Sequence, residues 1–341
     1  MSQSLRPLAL TMGEPAGIAP DITLDAWLAL RHDPDIRFFY LGDPDLLERR
    51  ARVLKRTVPI AAIAGPAAAA AAFPTALPVL PIELAAVGTP GALSSDDARA
   101  VERSLLRALD LVLAGEASAI VTNPVHKRSL YGAGFAHRGH TDFFGVESRR
   151  RGYDAEPVMM MLARDLRTVP LTVHVPIKDV PSLLSADLIV TQTRVVAQGL
   201  KAYFGLPRPR IAIAGLNPHA GEEGTMGGEE KTLIVPAIER LKRDGLDVSG
   251  PHSADALFHD DARHQFDAVM CMYHDQALIP VKTLAFHEGV NATLGLPFVR
   301  TSPDHGTALS LAGTGKANPS SLVHAVRLAW AMAAHAPAPR R

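Results

Sequence analysis

The segment FDAVMCMYHDQALIPVKTLAFHEGVNATLGLPFVRTSPDHGT, residues 266–307, combines two apolar runs with a dense set of polar groups. The first run, 266–272, is long enough for a buried parallel strand and is followed at once by a polar cluster that contains His274. The second run, 292–299, is expected to form another strand that delivers Arg300 at its end. Ligands of open α/β sheets bind just past the carboxyl ends of strands. The segment therefore predicts a parallel sheet with an active site at one edge.

Short apolar runs alternate with helix-like segments along most of the remaining chain. Further strands are expected at 8–12, 37–41, 119–122, 158–163, 168–175 and 211–216. Helices are expected at 20–30, 96–114, 231–244 and 322–334. This alternation is typical of an α/β fold with a mostly parallel sheet.

The composition limits the class of protein. A chain of 341 residues exceeds one comfortable core, which predicts two domains or one large α/β unit. The 35 basic and 35 acidic residues cancel, which argues against nucleic acid or an anionic membrane as the main partner. The single cysteine, Cys271, excludes an intrachain disulfide and favours a reducing compartment. No signal peptide and no long apolar stretch is recognisable, so we expect a soluble cytoplasmic protein.

Three histidines, His174, His219 and His274, follow the ends of predicted strands. Three imidazoles with one open coordination position suit Zn²⁺ or a similar divalent ion. The chain has 14 histidines and lacks a close HExxH-type spacing, so an ordinary structural role for the three stays open.

A second set of groups suits an anionic substrate. Lys282, Asn291 and Arg300 lie near predicted strand ends, and a lysine and an arginine together favour binding of an anion. The pair His140 and Thr141 follows a glycine-rich stretch, where it can bind a carboxylate or a phosphate. Solvated surface positions for the first set, and a turn that satisfies its own backbone for the second, are the alternatives.

The glycine-rich loop 217–228 also suits an anion, bound where the following helix begins. The adjacent Glu229 and Glu230 are expected to be charges in the first turn of that helix. Neither a GxGxxG dinucleotide motif nor a GxSxG nucleophile motif is present, and Cys271 within an apolar run indicates an inert buried thiol.

Long motifs then occur in a characteristic order: MGEPAGIAPDI, VTNPVHK, GHTDFF, GLNPHAGEEGTMGGEE, SADALFH, MYHDQALIPVK and GVNATLGLPFVRTSPDHGTALSLAG. With these motifs the chain resembles the 4-hydroxythreonine-4-phosphate dehydrogenase family over nearly its whole length. The resemblance implies oxidation of 4-phosphooxy-L-threonine at C3 with NAD or NADP and a divalent metal. Decarboxylation to 3-amino-2-oxopropyl phosphate and CO₂ would follow, as a step of vitamin B6 biosynthesis. That family binds NAD without a GxGxxG loop.

The resemblance also implies an architecture similar to isopropylmalate and isocitrate dehydrogenases, with the active site in a cleft between two α/β domains. The first domain is expected to span 1–125 and about 290–341, and the second about 126–289. A homodimer with the active site at the subunit interface is implied as well.

Roles for individual residues follow from their motif positions in the family. The metal ligands, for Zn²⁺, Mg²⁺ or Co²⁺ and drawn from both subunits, would be His174, His219 and His274. The substrate contacts would be His140, Thr141, Lys282, Asn291 and Arg300. The groups that act on the reacting substrate would be Lys282, Asp275 and Asp255.

Other activities remain open at this point. The family has paralogues that act on D-threonate or D-erythronate 4-phosphate and on aromatic dihydrodiols, and these would share the polar groups around the metal. Asp142, Ala19 and Ala256 depart from the usual family residues without removing an expected ligand. A metal-dependent hydrolase or lyase, and a non-catalytic relative on the same fold, are the alternatives from other classes.

Overall fold

The computed structural model describes residues 5–337 except 86, 87, 95, 133 and 138. Its contacts divide the chain into two compact units, of which the first comprises Met1–Ala155 and Leu296–Arg341 and the second comprises Glu156–Gly295. The chain enters the second unit once and leaves it once, so the first unit is discontinuous in sequence.

The first unit alternates strands and helices. Its strands are β1 (Leu8–Thr11), β2 (Phe38–Gly42), β3 (Ile60–Ala62), β4 (Leu77–Pro81), β5 (Ala119–Val121) and β12 (Val299–Pro303). Its helices are α1 (Ala19–Leu30), α2 (Pro44–Leu54), α3 (Ala69–Ala72), α4 (Ala98–Leu113), α5 (Lys127–Gly132), α6 (His140–Arg150) and α12 (Ser320–His335).

The strands of the first unit pair in the order β3-β4-β2-β1-β5-β12, and each of these pairs is parallel. All their carboxyl ends therefore lie on one edge. From β1 the chain moves outward through β2 and later returns to the other side of β1 as β5. The carboxyl ends of β1 and β5 thus flank a switch point, the place where open α/β sheets bind ligands.

Segment 126–155, expected in the second domain, belongs to the first unit. The reason is aromatic packing around α6, which no sequence periodicity indicated. The rings of Phe135 and Phe143 stack with centroids 5.4 Å apart, and Phe144 contacts Phe298 edge-on at 5.8 Å. Burial of these rings holds the segment against the first unit.

The second unit contains the remaining elements. Its strands are β6 (Val158–Ala163), β7 (Leu166–Pro170), β8 (Arg210–Ala214), β9 (Asp247–His252), β10 (Ala268–Cys271) and β11 (Val290–Leu294). Its helices are α7 (Val180–Leu183), α8 (Ala186–Phe204), α9 (Val235–Arg243), α10 (Asp260–Arg263) and α11 (His274–Ala285). The pairing order is β11-β6-β7-β10-β8-β9, and only β6 runs antiparallel to its neighbours. The predicted α/β class with a mostly parallel sheet is confirmed.

The core of the second unit places α11 against its sheet. Leu278 and Val281 of this helix pack with Val269 and Cys271 of β10. Cys271 is fully buried, and burial raises the pKa of its thiol, which keeps the thiol protonated and inert. The packing fixes the helix directly after β10, so its first residue, His274, lies at the carboxyl edge of the sheet.

The expectation of one strand over 292–299 is wrong. Gly295 adopts φ +72°, and a Cβ there would lie 2.0 Å from the carbonyl oxygen of Glu156. Only glycine tolerates this turn, so β11 ends before it and β12 begins after it. Arg300 therefore lies within β12 and not past the end of a strand.

Three further expectations about local structure need correction. The predicted strand 168–175 ends at Pro170, which leaves His174 in the following loop. His140 and Thr141 begin helix α6 instead of lying in a loop. The predicted helix 231–244 begins as a π-helical turn, Glu230–Ile234, before the regular helix α9. Within the described part of the chain, no helix is long and apolar enough to cross a membrane.

Candidate active site

In the first unit, the polar groups expected to contact substrate meet at the start of α6. His140 and Thr141 are the first two residues of this 11-residue helix. The first N–H groups of an α-helix lack partners within the helix and carry the positive end of its dipole. Such a helix start is suited to bind a phosphate or a carboxylate.

Arg300 lies beside this helix start. It is only 2% exposed, and its Nη2 donates to Thr122 Oγ1 at 2.5 Å and to His140 Nδ1 at 3.3 Å. Burial lowers the pKa of Arg300 to about 9, so the guanidinium remains protonated at neutral pH. The cluster of Arg300, Thr122 and His140 therefore places a fixed cation next to the helix start.

The contact with Arg300 also determines which nitrogen of His140 carries the proton. A guanidinium can only donate, so Nδ1 must accept and the proton of the neutral ring is on Nε2. Within the described residues this Nε2 has no hydrogen-bond partner. Burial, followed by the charges of Arg300 and Lys127, lowers the pKa of His140 well below its usual value. His140 is thus a neutral hydrogen-bond donor.

The sequence patterns did not identify two buried carboxylates of the first unit as candidate site residues. Glu14 lies just past β1, and its N–H donates to the Pro124 carbonyl at 2.9 Å. Burial raises the pKa of Glu14 and also that of Asp97. Asp97 is 2% exposed, and neither of its oxygens accepts a hydrogen bond from the residues that the structure describes. The glycine-rich turn after a strand was a usable signal for Glu14, whereas Asp97 stands where a helix cap is expected but makes no capping bond.

In the second unit, two of the three histidines expected to bind metal lie together. His174 follows β7 and His274 begins α11, and their ring centroids are 5.6 Å apart. With Zn–N distances of about 2.0–2.1 Å, two imidazoles on one tetrahedral ion have centroids roughly 5 Å apart. The pair therefore fits two positions of a metal site. His174 has φ +45°, an uncommon conformation for a residue other than glycine.

Asp275 contacts the neighbouring histidine. Its Oδ1 lies 2.7 Å from His274 Nδ1. An ionised carboxylate can only accept, so this contact places the ring proton on Nδ1 and leaves the Nε2 lone pair available. Metal-binding histidines are oriented by such carboxylates. The contact thus supports a ligand role for His274 and an orienting role for Asp275.

His219 lies on the loop after β8, in a strained segment. Residues 219–223 all have left-handed backbone conformations, and only Gly221 among them is a glycine. Each such non-glycine residue costs roughly 1–2 kcal/mol. Across the described residues, no group of three or more His, Cys, Asp or Glu side chains is arranged to hold a metal ion. His219 therefore does not complete the His174–His274 pair within one chain.

Asp255 lies near His219 and is held by its own turn. Ser253 Oγ donates to Asp255 Oδ1 at 2.5 Å. This hydrogen bond is the main cause that lowers the pKa of Asp255, and His219 lowers it further. Asp255 is therefore an ionised hydrogen-bond acceptor at neutral pH.

Lys282 and Asn291 complete the set expected from the sequence. Lys282 lies on α11, with its Nζ 5.4 Å from the ring centroid of Phe286. Asn291 lies on β11 opposite Met161 of β6, and its Oδ1 is buried without a hydrogen-bond partner in the described chain. A buried amide oxygen of this kind is suited to accept a hydrogen bond from a ligand.

Comparisons with known proteins agree over nearly the whole chain. Residues 35–329 match the family of the pyridoxal phosphate biosynthetic protein PdxA. A 4-hydroxythreonine-4-phosphate dehydrogenase of Bradyrhizobium diazoefficiens is 51% identical over 341 residues, covering 98% of this chain and 99% of the relative. The enzyme of that name from Xanthobacter autotrophicus is 53% identical over 328 residues, covering 96% and 93%.

A solved structure is also similar. The crystal structure of 4-hydroxythreonine-4-phosphate dehydrogenase from Klebsiella pneumoniae superposes with a TM-score of 0.87 at 34% identity, covering 96% of this chain and 99% of that one. These matches confirm the family resemblance and the oxidoreductase class predicted from the sequence. The chain belongs to the PdxA family of pyridoxal phosphate biosynthetic proteins.

Proposed function

We propose that this protein oxidises 4-phosphooxy-L-threonine at C3 with NAD or NADP and then decarboxylates the product to 3-amino-2-oxopropyl phosphate. The observation that carries the proposal is the cluster of Arg300, Thr122 and His140 at the start of α6. It combines a fixed cation, a neutral N–H donor and the N-terminal end of a helix, which are the groups that bind a phosphate monoester. Relatives that carry the name of this activity align with nearly the whole chain.

The phosphate would be bound by the cluster of Arg300, Thr122 and His140. Thr141 would donate from the first turn of α6, and Lys282 and Asn291 would contact the polar remainder of the substrate. Binding through a non-reacting phosphate is useful because its energy can orient the distant C3 hydroxyl.

His174, His219 and His274 would hold a divalent ion such as Zn²⁺, Mg²⁺ or Co²⁺. The chemistry that this ion supplies when bound is Lewis-acid activation of the C3 hydroxyl. Asp275 keeps the Nε2 of His274 free for that role through its contact with Nδ1. The pair His174 and His274 supplies two ligands from one chain, and we propose that the set is completed across the interface of a homodimer.

The proton and hydride balance can be assigned to groups of this chain. NAD or NADP, when bound, would supply the acceptor for the hydride of C3, and the hydroxyl proton would pass to a nearby acceptor of this chain. We assign Asp255 as this acceptor, because its side-chain hydrogen bond comes from the neutral hydroxyl of Ser253, whereas Asp275 contacts His274, one of the expected metal ligands. The resulting β-keto acid loses CO₂ by cleavage of its carboxyl C–C bond, and Lys282 returns a proton to the carbon.

The exposed face of α11 supports the homodimer. Ile279 is 62% exposed and Phe286 is 65% exposed. They lie on the same helical stripe as Asp275 and Lys282, at spacings of three and four residues. Large apolar side chains exposed beside functional groups mark an interaction surface. A second copy of the chain covering this stripe would place the active site at the subunit interface.

Other expected properties extend the same proposal. We propose that the two compact units act as the two domains of the enzyme. The balanced charge favours neither nucleic acid nor membrane as a partner, and we expect the protein to work in the cytoplasm.

The test is turnover of three compounds with NAD and a divalent metal: 4-phosphooxy-L-threonine, D-threonate 4-phosphate and 4-hydroxy-L-threonine. We expect reduced nicotinamide to form fastest from the first. Preference for the second would assign the protein to sugar-acid metabolism, and no reduction with any of the three would reject the proposed function.

A further inference from the structure

Glu230 in the second unit is a buried carboxylate with an unexpected set of partners. The sequence suggests a solvated charge in the first turn of a helix, but the residue is only 4% exposed. A buried carboxylate is unfavourable unless hydrogen bonds compensate its charge. Its partners therefore indicate what the residue does.

Within the described residues, the side-chain hydrogen bonds of Glu230 go to the beginning of the loop that carries His219. Its Oε1 accepts from the N–H groups of Leu216 and Asn217, both at 2.8 Å. Its Oε2 accepts from Asn217 Nδ2 at 3.0 Å. One carboxylate thus binds three donors from two consecutive residues, only two residues before His219.

The loop also wraps closely around this carboxylate. A Cβ at Gly221 would lie 2.6 Å from Glu230 Oε2, and a Cβ at Gly215 would lie 3.2 Å from Oε1. Glycine is required at Gly221 by this contact and by its φ of +77°. The carboxylate is therefore enclosed by the loop on the side that precedes His219 and on the side that follows it.

The loop needs such support because its backbone is unfavourable. His219, Ala220, Glu222 and Glu223 are left-handed without being glycine. Strained backbone of this kind persists only where the surroundings hold it, and it is concentrated at functional sites. Glu230 is the buried group that supplies this anchor.

A second buried side chain joins this loop to the turn that carries His274. Gln276 donates through Nε2 to the Gly215 carbonyl at 2.9 Å and accepts through Oε1 from the Met272 N–H at 2.7 Å. It lies two residues after His274. Gln276 thus connects the loop that Glu230 anchors to the backbone next to His274, another expected metal ligand.

We propose that Glu230 is a positioning residue that holds the loop 215–223 so that His219 can bind the metal ion. The inference rests on the metal site of the proposed function. It assigns Glu230 no contact with substrate, metal or cofactor. Glu230 would stabilise the strained loop conformation before the ion binds. Binding then does not include the entropic cost of ordering His219.

The test compares Glu230→Ala and Glu230→Gln with the matched control Glu229→Gln. Glu229 is the adjacent carboxylate, and its Oε2 also accepts from Asn217 Nδ2, at 2.9 Å. The control removes the same charge at nearly the same place but leaves both backbone contacts of Glu230 intact. Binding of Zn²⁺ to the full-length protein is measured by calorimetry, with circular dichroism to confirm folding.

We expect Glu230→Ala to weaken Zn²⁺ binding roughly 10- to 100-fold, the range found when groups that orient metal ligands are removed. Glu230→Gln keeps an oxygen for the two backbone N–H groups but turns an amide toward Asn217 Nδ2, so we expect a loss of about tenfold or less. Hydrogen exchange without metal should be faster in 215–223 for both variants. Glu229→Gln should match the wild type in both measurements.

Two results would overturn the proposal. Zn²⁺ affinities of the Glu230 variants equal to the wild type would remove the positioning role. Equal losses in the Glu229 and Glu230 variants would show that only charge matters. If Glu230→Ala does not fold, Glu230→Gln decides between these results. A wild-type affinity in His219→Ala would instead reject His219 as a ligand, which is a failure of the proposed metal site itself.

Discussion

Replacement of Arg300 tests the phosphate site most sharply. Arg300→Met removes the cation while a flexible side chain of similar length fills the buried space. Its guanidinium is held by Thr122 and His140 beside the start of α6, so a phosphate bound there would take a charge-assisted hydrogen bond from it. Such a bond contributes about 1.5–3 kcal/mol. At 1.4 kcal/mol for each factor of ten, its loss weakens binding roughly 10- to 150-fold.

The assay is steady-state oxidation of 4-phosphooxy-L-threonine and of its dephosphorylated analogue, 4-hydroxy-L-threonine. We expect the KM for the phosphorylated compound to rise by the factor above and the KM for the analogue to change little. Thr122→Val removes one partner of the guanidinium but keeps the cation, and should shift KM in the same direction by a smaller factor.

Equal changes of KM for the two compounds would refute the assignment of Arg300 to the phosphate. The same holds if Arg300→Met leaves both KM values unchanged while circular dichroism shows a folded protein. A loss of kcat alone would indicate that Arg300 acts on the reacting centre.

Three further predictions follow from the charges and surfaces of the two units. Asp97→Asn removes a buried carboxyl whose raised pKa makes ionisation unfavourable in the folded state. The substitution should therefore raise stability at neutral pH, and the gain should vanish below about pH 4. Calorimetry that shows no gain at neutral pH would contradict this prediction. Because the pKa of His140 is lowered in the folded state, the protein should lose stability as pH falls below about 6.5. Denaturant titrations at several pH values should show a smaller loss for His140→Asn. Equal losses in the two proteins would reject His140 as a cause of this pH dependence. Ile279→Asp should convert the proposed dimer to monomers in analytical ultracentrifugation. The control Val53→Asp, at an exposed valine of the first unit, should remain a dimer. A dimeric Ile279→Asp protein would exclude this face of α11 as the dimer interface.

The sequence predicted the strands best where both faces of a strand are buried. Apolar runs such as 8–12 and 119–122 coincide with β1 and β5 within a residue, because parallel strands covered by helices are apolar throughout. The family was also accessible, since long ordered motifs carry more information than any single spacing. The same periodicity failed over 292–299, because a conformation available only to Gly295 divides an apolar run into two strands.

The groups that organise the site were less accessible from sequence. His140 was expected in a glycine-rich loop, because nothing in the local pattern indicates that Phe143 and Phe144 would be buried to form a helix. Glu230 follows another glutamate at a helix start, and only the tertiary contacts distinguish the buried Glu230 from the partly buried Glu229. Glu230 bonds to residues 13 and 14 positions earlier in the chain, and no helix or strand periodicity in the sequence predicts contacts at that separation.

The most direct test of the proposed reaction is its stoichiometry. The enzyme would be incubated with 4-phosphooxy-L-threonine labelled at the carboxyl carbon, excess NAD and a divalent metal, and the reduced nicotinamide, labelled CO₂ and free phosphate would be measured together. An oxidative decarboxylation predicts reduced nicotinamide and labelled CO₂ in equal amounts, with no phosphate released. Free phosphate without reduced nicotinamide would indicate a hydrolase or a lyase, and reduced nicotinamide without CO₂ would contradict the decarboxylation.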